Sequence, residues 1–232
     1  IELVLWITAG CSLLAAALTA LLRLVPAEEE AEEAEAAVDV PDLGALRSWA
    51  EVVRPAPIRL LAAVTFISAA LVSPYLAVLM PAHFQSIDAP VRLGLAMSAY
   101  AVGMMLSGFL VAAVGMDRRR TIWVASMLLF SVGFALMGAL GYSWLVVVGM
   151  AVAGLGGGLM GPLQMVLVTE IIPEKLRGRA FSVFMAIGQF SAPIGLITAT
   201  GLLTQVSIYV TAAVLAVAWV LISVWAIWRG VR

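Results

Sequence analysis

Seven stretches of this 232-residue chain run free of charged residues for the roughly 17–25 positions needed to cross about 30 Å of hydrocarbon. They cover about Leu3–Leu22, Leu60–Met80, Leu93–Met116, Thr121–Leu140, Trp144–Val168, Ala180–Leu203 and Ile208–Trp228. Lipid cannot hydrogen-bond a backbone, so only helices or a closed barrel span it. A barrel strand alternates polar and apolar residues, and these stretches are continuously apolar. With 63% hydrophobic and 12% charged residues, the composition also excludes a water-soluble globule and a disordered chain. The expected class is an all-α membrane protein with seven transmembrane helices.

Twelve of the thirteen Lys and Arg residues fall on one side of that topology. Arg23, Arg47, Arg54 and Arg59 lie between the first and second segments, and Arg118, Arg119 and Arg120 between the third and fourth. Lys175, Arg177 and Arg179 separate the fifth and sixth, and Arg229 and Arg232 close the chain. Only Arg92 falls opposite. By the positive-inside rule the basic face is cytoplasmic, which places the C-terminus inside a plasma (inner) membrane. Trp123, Trp225 and Trp228 then sit at inner ends, and Trp6, Tyr142 and Trp144 at outer ends, as interfacial anchors. Seven spans put Ile1 outside. The chain therefore reads as the C-terminal part of a longer polypeptide with an odd number of helices upstream.

One hydrophilic stretch, Pro26 to Pro57, divides the chain. Six Glu between Glu28 and Glu35 are too charged to pack and read as a solvated cytoplasmic linker. Beyond it, Leu43, Leu46, Trp49, Ala50 and Val53 recur at helical spacing, with Asp42 placed to cap, as in an interfacial amphipathic helix. The expected organisation is a last helix of a preceding bundle over 1–25, the linker over 26–57, and a six-helix bundle over 58–232.

That bundle carries a hidden repeat. Its first three segments span 58–140 and its last three 144–228, beginning on opposite sides of the membrane. Each half opens with a helix holding a proline deep in its apolar run, Ser73-Pro74 and Gly161-Pro162, at offsets of 16 and 18. Interrupted helices at matching places in two inverted halves point to a transporter's central site.

Several motifs carry a family resemblance. Pro173-Glu174-Lys175-Leu176-Arg177-Gly178-Arg179-Ala180-Phe181-Ser182, followed by Ala192-Pro193-Ile194-Gly195-Leu196, resembles a stretch of the macrolide-efflux and enterobactin-exporter branch of the major facilitator superfamily. Val102-Gly103-Met104-Met105-Leu106-Ser107-Gly108 resembles the same branch. Gly115-Met116-Asp117-Arg118-Arg119-Arg120 is similar to the superfamily's short loop signature, compressed and without its inner glycine. The resemblance implies helices six to twelve of a transporter that works by alternating access, its partners being the bilayer, a small-molecule substrate and the N-terminal bundle of the same polypeptide. It implies cavity walls from the second, third, fifth and sixth segments. On those, Ser73, Tyr75, Tyr100, Met104, Met160, Gln164, Met185 and Gln189 are the expected substrate contacts. Gating and structural roles fall to Pro74, Pro162, Asp117, Arg118, Arg119, Arg120, Glu170, Gly178 and Arg179.

The chemistry is otherwise sparse. A net charge of −1 offers no field for nucleic acid. Cys11 alone forms no internal disulfide and reads as a small core residue. With His83, placed on an outer loop, it cannot build a metal site. No catalytic constellation and no cofactor motif is present. Gly154-Leu155-Gly156-Gly157-Gly158 lacks the Lys-Ser/Thr of a phosphate loop and reads as close helix packing. The segments hold no intramembrane carboxylate, so proton-coupled antiport would need its titrating group in the other half. Methionine, aromatic and amide side chains suit bulky amphipathic cargo such as drugs, macrolides or siderophores. A lipid or lysolipid flippase of the same fold and a non-transporting membrane scaffold are the alternatives. Two local expectations complete the reading. Glu170 at a helix C-terminus needs a cation, expected from Arg118, Arg119 or Arg120 within about 4 Å. Asp117 is expected to cap the fourth segment through the amide of Arg119 or Arg120.

Overall fold

The structure, a computed structural model, describes Leu13, residues 52–115 and residues 118–231. Among the described residues six helices are long and apolar enough to cross a membrane, α1 Ala56–Ser86, α2 Pro90–Val114, α3 Arg119–Gly138, α4 Ser143–Ile171, α5 Glu174–Leu203 and α6 Ile208–Val231. The count there is six and not seven, because the first expected segment, apart from Leu13, lies outside the described residues. So do the acidic run, the amphipathic helix up to residue 51, Cys11 and Asp117.

Proline and glycine set several boundaries. Pro57 and Pro90 occupy the first turns of α1 and α2, where a missing N–H leaves nothing unsatisfied. Gly115 ends α2 at φ 79°, a conformation that glycine adopts without strain. Inside the helices, Pro74 stands 18 positions after Ala56 and Pro162 stands 19 after Ser143, a closer match than the sequence offsets. The two prolines act differently. α4 stays α-helical through Pro162, whereas Pro74 is followed by a π-helical turn, Tyr75–Leu79. Pro74 has no N–H for the Ala70 carbonyl, and the Tyr75 N–H goes to Val72 O instead.

The helices pack α2 and α3 against α4, α6 against α3, and α5 against α1, with α1 also touching α6. Exchanging α1 with α4, α2 with α5 and α3 with α6 maps this set of neighbours onto itself. One offset, 88 residues, carries Pro74 to Pro162, Ala70 to Gly158 and Ser107 to Gly195. Ala70 meets Gly195 across α1 and α5, and Gly158 meets Ser107 across α4 and α2. The same contact thus occurs twice, each time between the two halves.

Glycines bring α4 against two neighbours. Gly154 and Gly158 face α2, where a Cβ on either would overlap the Tyr100 carbonyl or the Ser107 hydroxyl. Gly149 and Gly156 face α3, where a Cβ would fall 2.7 Å from Gly133 O and 2.6 Å from Phe130 N. Ser126 Oγ donates to Gly156 O at 2.8 Å in that seam. The glycine run therefore packs helices, and lipid-solvated helices associate through such small residues.

Aromatic rings fill the space between α1, α3 and α6. Tyr75 lies 5.5 Å from Phe134, and Phe130 meets Trp219 edge-on at 5.2 Å. The Tyr75 hydroxyl donates to Met137 O at 2.6 Å. Met137 belongs to the last turn of α3, whose carbonyls have no donor further along the helix. Tyr75→Phe leaves that buried carbonyl bare, and the detergent-solubilised protein is expected to lose about 1–2 kcal/mol of stability, read as a lowered melting temperature.

Candidate functional site

Three expectations about individual side chains are corrected. Tyr75 is fully buried, hydrogen-bonded inside the bundle, and belongs to the core. His83 lies in the last turns of α1, buried edge-on between Phe84 and Tyr209, and not on a loop. Trp123 is 7% exposed beneath Gly230, so it is a packed residue between α3 and α6 and not a lipid-facing anchor. Trp225, Trp228 and Trp144 are exposed as anchors should be.

The other expected substrate contacts divide by exposure. Ser73, Tyr100, Met160 and Gln164 are half-buried, while Met104, Met185 and Gln189 are exposed. The Tyr100 hydroxyl turns toward Gly157 in the α2–α4 seam. On α5 the buried positions Ala180, Phe184, Ser191, Gly195 and Ala199 include the face seated on α1. Gly178, Ser182, Met185, Gln189, Pro193 and Ile197 form an exposed stripe at helical spacing. Three exposed hydroxyls of α5 are satisfied within the helix, Ser182 on Gly178 O, Thr198 on Ile194 O and Thr200 on Leu196 O. Gln189, at the middle of the span, makes no hydrogen bond among the described residues.

The basic residues gather at one face. Arg59 on α1, Arg119 and Arg120 on α3 and Arg229 on α6 line one cleft of about 780 Å³. Leu60, Leu163 and Leu167 supply its apolar side, and Trp123 and Trp225 its aromatic side. Arg229 stands 5.7 Å over the Trp225 ring. At the opposite end Arg92 reaches Ser143 Oγ at 3.4 Å. None of the eight expected substrate contacts lines the arginine cleft. The sequence held both components, the arginines read for topology and the tryptophans read as anchors. It lacked the third dimension that superposes the starts of α1 and α3 on the end of α6.

Glu170 pairs with Arg119. Arg119 stands in the first turn of α3 and Glu170 in the last turn of α4. Each charge opposes the dipole of its own helix, and each neutralises the other. The two side chains are 46% and 40% exposed, which places the pair among surface ion pairs. Glu170→Gln should accordingly shift stability by less than about 1 kcal/mol, with most of that difference lost in high salt, as melting curves will record. Arg118 is exposed just ahead of α3, and Gly178 is exposed on α5. Arg177 Nε and Arg179 Nη1, both in the first turns of α5, are buried without an acceptor among the described residues. No group of three or more His, Cys, Asp or Glu among the described residues could hold a metal ion.

The sequence profile of the Major Facilitator Superfamily matches residues 60–232. The multidrug resistance protein MdtH of Shigella flexneri serotype 5b (strain 8401) is 39% identical over 80 residues, which are 34% of this chain and 20% of that protein. MdtH of Enterobacter sp. (strain 638) matches with the same identity and coverage, and MdtH of Escherichia coli O1:K1 / APEC at 38% over 80 residues. The matched stretch thus spans a fifth of those relatives' length. No solved structure matches the chain.

Proposed function

This chain belongs to the Major Facilitator Superfamily, and from that premise we propose that it forms the C-terminal bundle of an exporter of bulky amphipathic compounds, drugs and macrolide- or siderophore-like molecules among them. Its partner is an N-terminal bundle of the same polypeptide, and the two rock about a shared site by alternating access. The arginine-rich face and the C-terminus are cytoplasmic in this reading, and the membrane is the plasma membrane. Identity to MdtH proteins supports the drug-efflux class.

The observation that carries the reading is Gln189. An unsatisfied amide at the middle of a span is costly against hydrocarbon. Its exposed stripe therefore wants cover from protein or water, as the wall of a central cavity would have. Met185 beside it, and Met104 on α2, provide adaptable apolar contact of the kind promiscuous sites use. The described residues of the six spans place their acidic side chains only at helix ends, Glu170 and Glu174. Proton coupling, with the exporter as an antiporter, accordingly falls to the other bundle.

Proteoliposomes of the full polypeptide, loaded with a fluorescent lipophilic cation, test this. An imposed pH gradient should drive flux, and Gln189→Trp should block it while leaving the protein folded. Movement of labelled lysolipid without movement of the cation would replace export by lipid flipping. Flux of neither would leave a scaffold.

A further inference from the structure

We infer that the cleft between α1, α3, α4 and α6 is a binding site for the headgroup of an anionic phospholipid. Guanidinium groups from three helices, Arg59, Arg119, Arg120 and Arg229, line one space of about 780 Å³, a volume typical of small-molecule sites. Within the chain's net charge of −1, this is a local concentration of positive charge. Glu170 pairs with Arg119. Among the described residues no side chain caps the starts of α1 and α3, which bring their positive ends to the cleft. In the wall, the Trp123 indole N–H is buried with no acceptor among the described residues.

Charge alone would suit any phosphate. The remaining surface favours a lipid. Leu60, Leu163 and Leu167 give the cleft an apolar side, and Trp225, 41% exposed, has the amphipathic ring that settles at headgroup depth. A phosphodiester among the arginines, with glycerol and acyl chain against the leucines, satisfies both halves of the lining. Basic pockets between transmembrane helices at one face of the bilayer hold anionic headgroups in this way. The inference does not rest on drug export.

The test uses the full chain in neutral detergent, titrated with short-chain phosphatidylglycerol, with short-chain phosphatidylcholine and with glycerol 3-phosphate, and read by the shift in melting temperature. Phosphatidylglycerol should stabilise, and the other two should not. Arg59 and Arg229 are exposed and stand apart from the Arg119–Glu170 pair. Arg59→Gln with Arg229→Gln should weaken apparent affinity about 30-fold, roughly fivefold per arginine. The lysine double variant should retain most of the affinity, and Arg92→Gln at the opposite face all of it. Equal stabilisation by phosphatidylcholine, or an unchanged response in the double glutamine variant, overturns the inference. Stabilisation by glycerol 3-phosphate at the same concentration assigns the cleft to a soluble anion and overturns the lipid. If the glutamine variant fails to fold, the Lys variant and Arg92→Gln titrated against added salt decide: a response that salt does not weaken is not headgroup electrostatics.

Discussion

Gly154→Val is expected to leave little or no folded protein. A Cβ at Gly154 would overlap the Tyr100 carbonyl, with Tyr100 C and Cα close behind, and all three are backbone atoms. Gly103 on the facing helix is enclosed in the same way by Ala151 O, Leu155 N and Gly154 C. Ordinary overpacking costs about 1–3 kcal/mol because side chains re-rotamerise. Here no flexible group can yield, so α2 and α4 must separate along the whole seam. The loss should exceed about 3 kcal/mol, a large share of the 5–15 kcal/mol that holds a typical domain. Size-exclusion profile and melting temperature in detergent read it directly. Gly108, on the same helix as Gly103, has nothing within 4 Å of a built Cβ. Gly108→Ala should be neutral or stabilising by up to about 1 kcal/mol, since alanine is the better helix former. A similar outcome for both substitutions would show that the seam is not where the glycines matter.

Gly195→Val is the second expected failure, and its cause lies on another helix. The Ala70 carbonyl has lost its α-helical donor to Pro74, and the Tyr75 N–H has gone to Val72. Gly195 of α5 approaches that carbonyl so closely that a Cβ would overlap its oxygen. A glycine Cα–H is the one group able to sit there, and it gives the oxygen a weak donor. Valine should part α5 from α1 and cost more than about 3 kcal/mol, again read as loss of a sharp melting transition. The coupling is separately measurable. In a Pro74→Ala background the backbone N–H returns to Ala70, so Gly195→Ala should cost less than it does beside the proline. Additive single effects would dissolve the link between the two residues.

Six of the spans, the basic face and the paired prolines were legible because each rests on a one-dimensional signal: length without charge, the positions of arginine, and proline inside an apolar run. Glu170 was legible because a carboxylate at a helix C-terminus asks for a cation. Inside and outside were not. In water an amphipathic stripe marks the core, but a helix surrounded by lipid is apolar on every side. α2 shows the difficulty, with Ala96, Gly103 and Ser107 buried while Val102, Met104, Met105 and Leu106 stand exposed. Small residues, not hydrophobic ones, mark its seam. Tyr75 misled for a related reason, since an aromatic hydroxyl beside a mid-span proline suits a cavity wall and a buried cap on Met137 equally well. The arginine cleft needed the crossing of helices far apart in sequence, from Arg59 to Arg229.

The π-helical turn at Tyr75–Leu79 makes the two halves unequal in winding but not in length. Such a turn winds more loosely than the α-helical turn it replaces, and the corresponding stretch of α4, beyond Pro162, remains α-helical. The offset of 88 residues nonetheless holds on both sides of it, from Pro74 and Pro162 to Ser107 and Gly195. The extra backbone twist of α1 is therefore taken up before the α2 seam is reached, and that seam and its counterpart on α5 keep the same register.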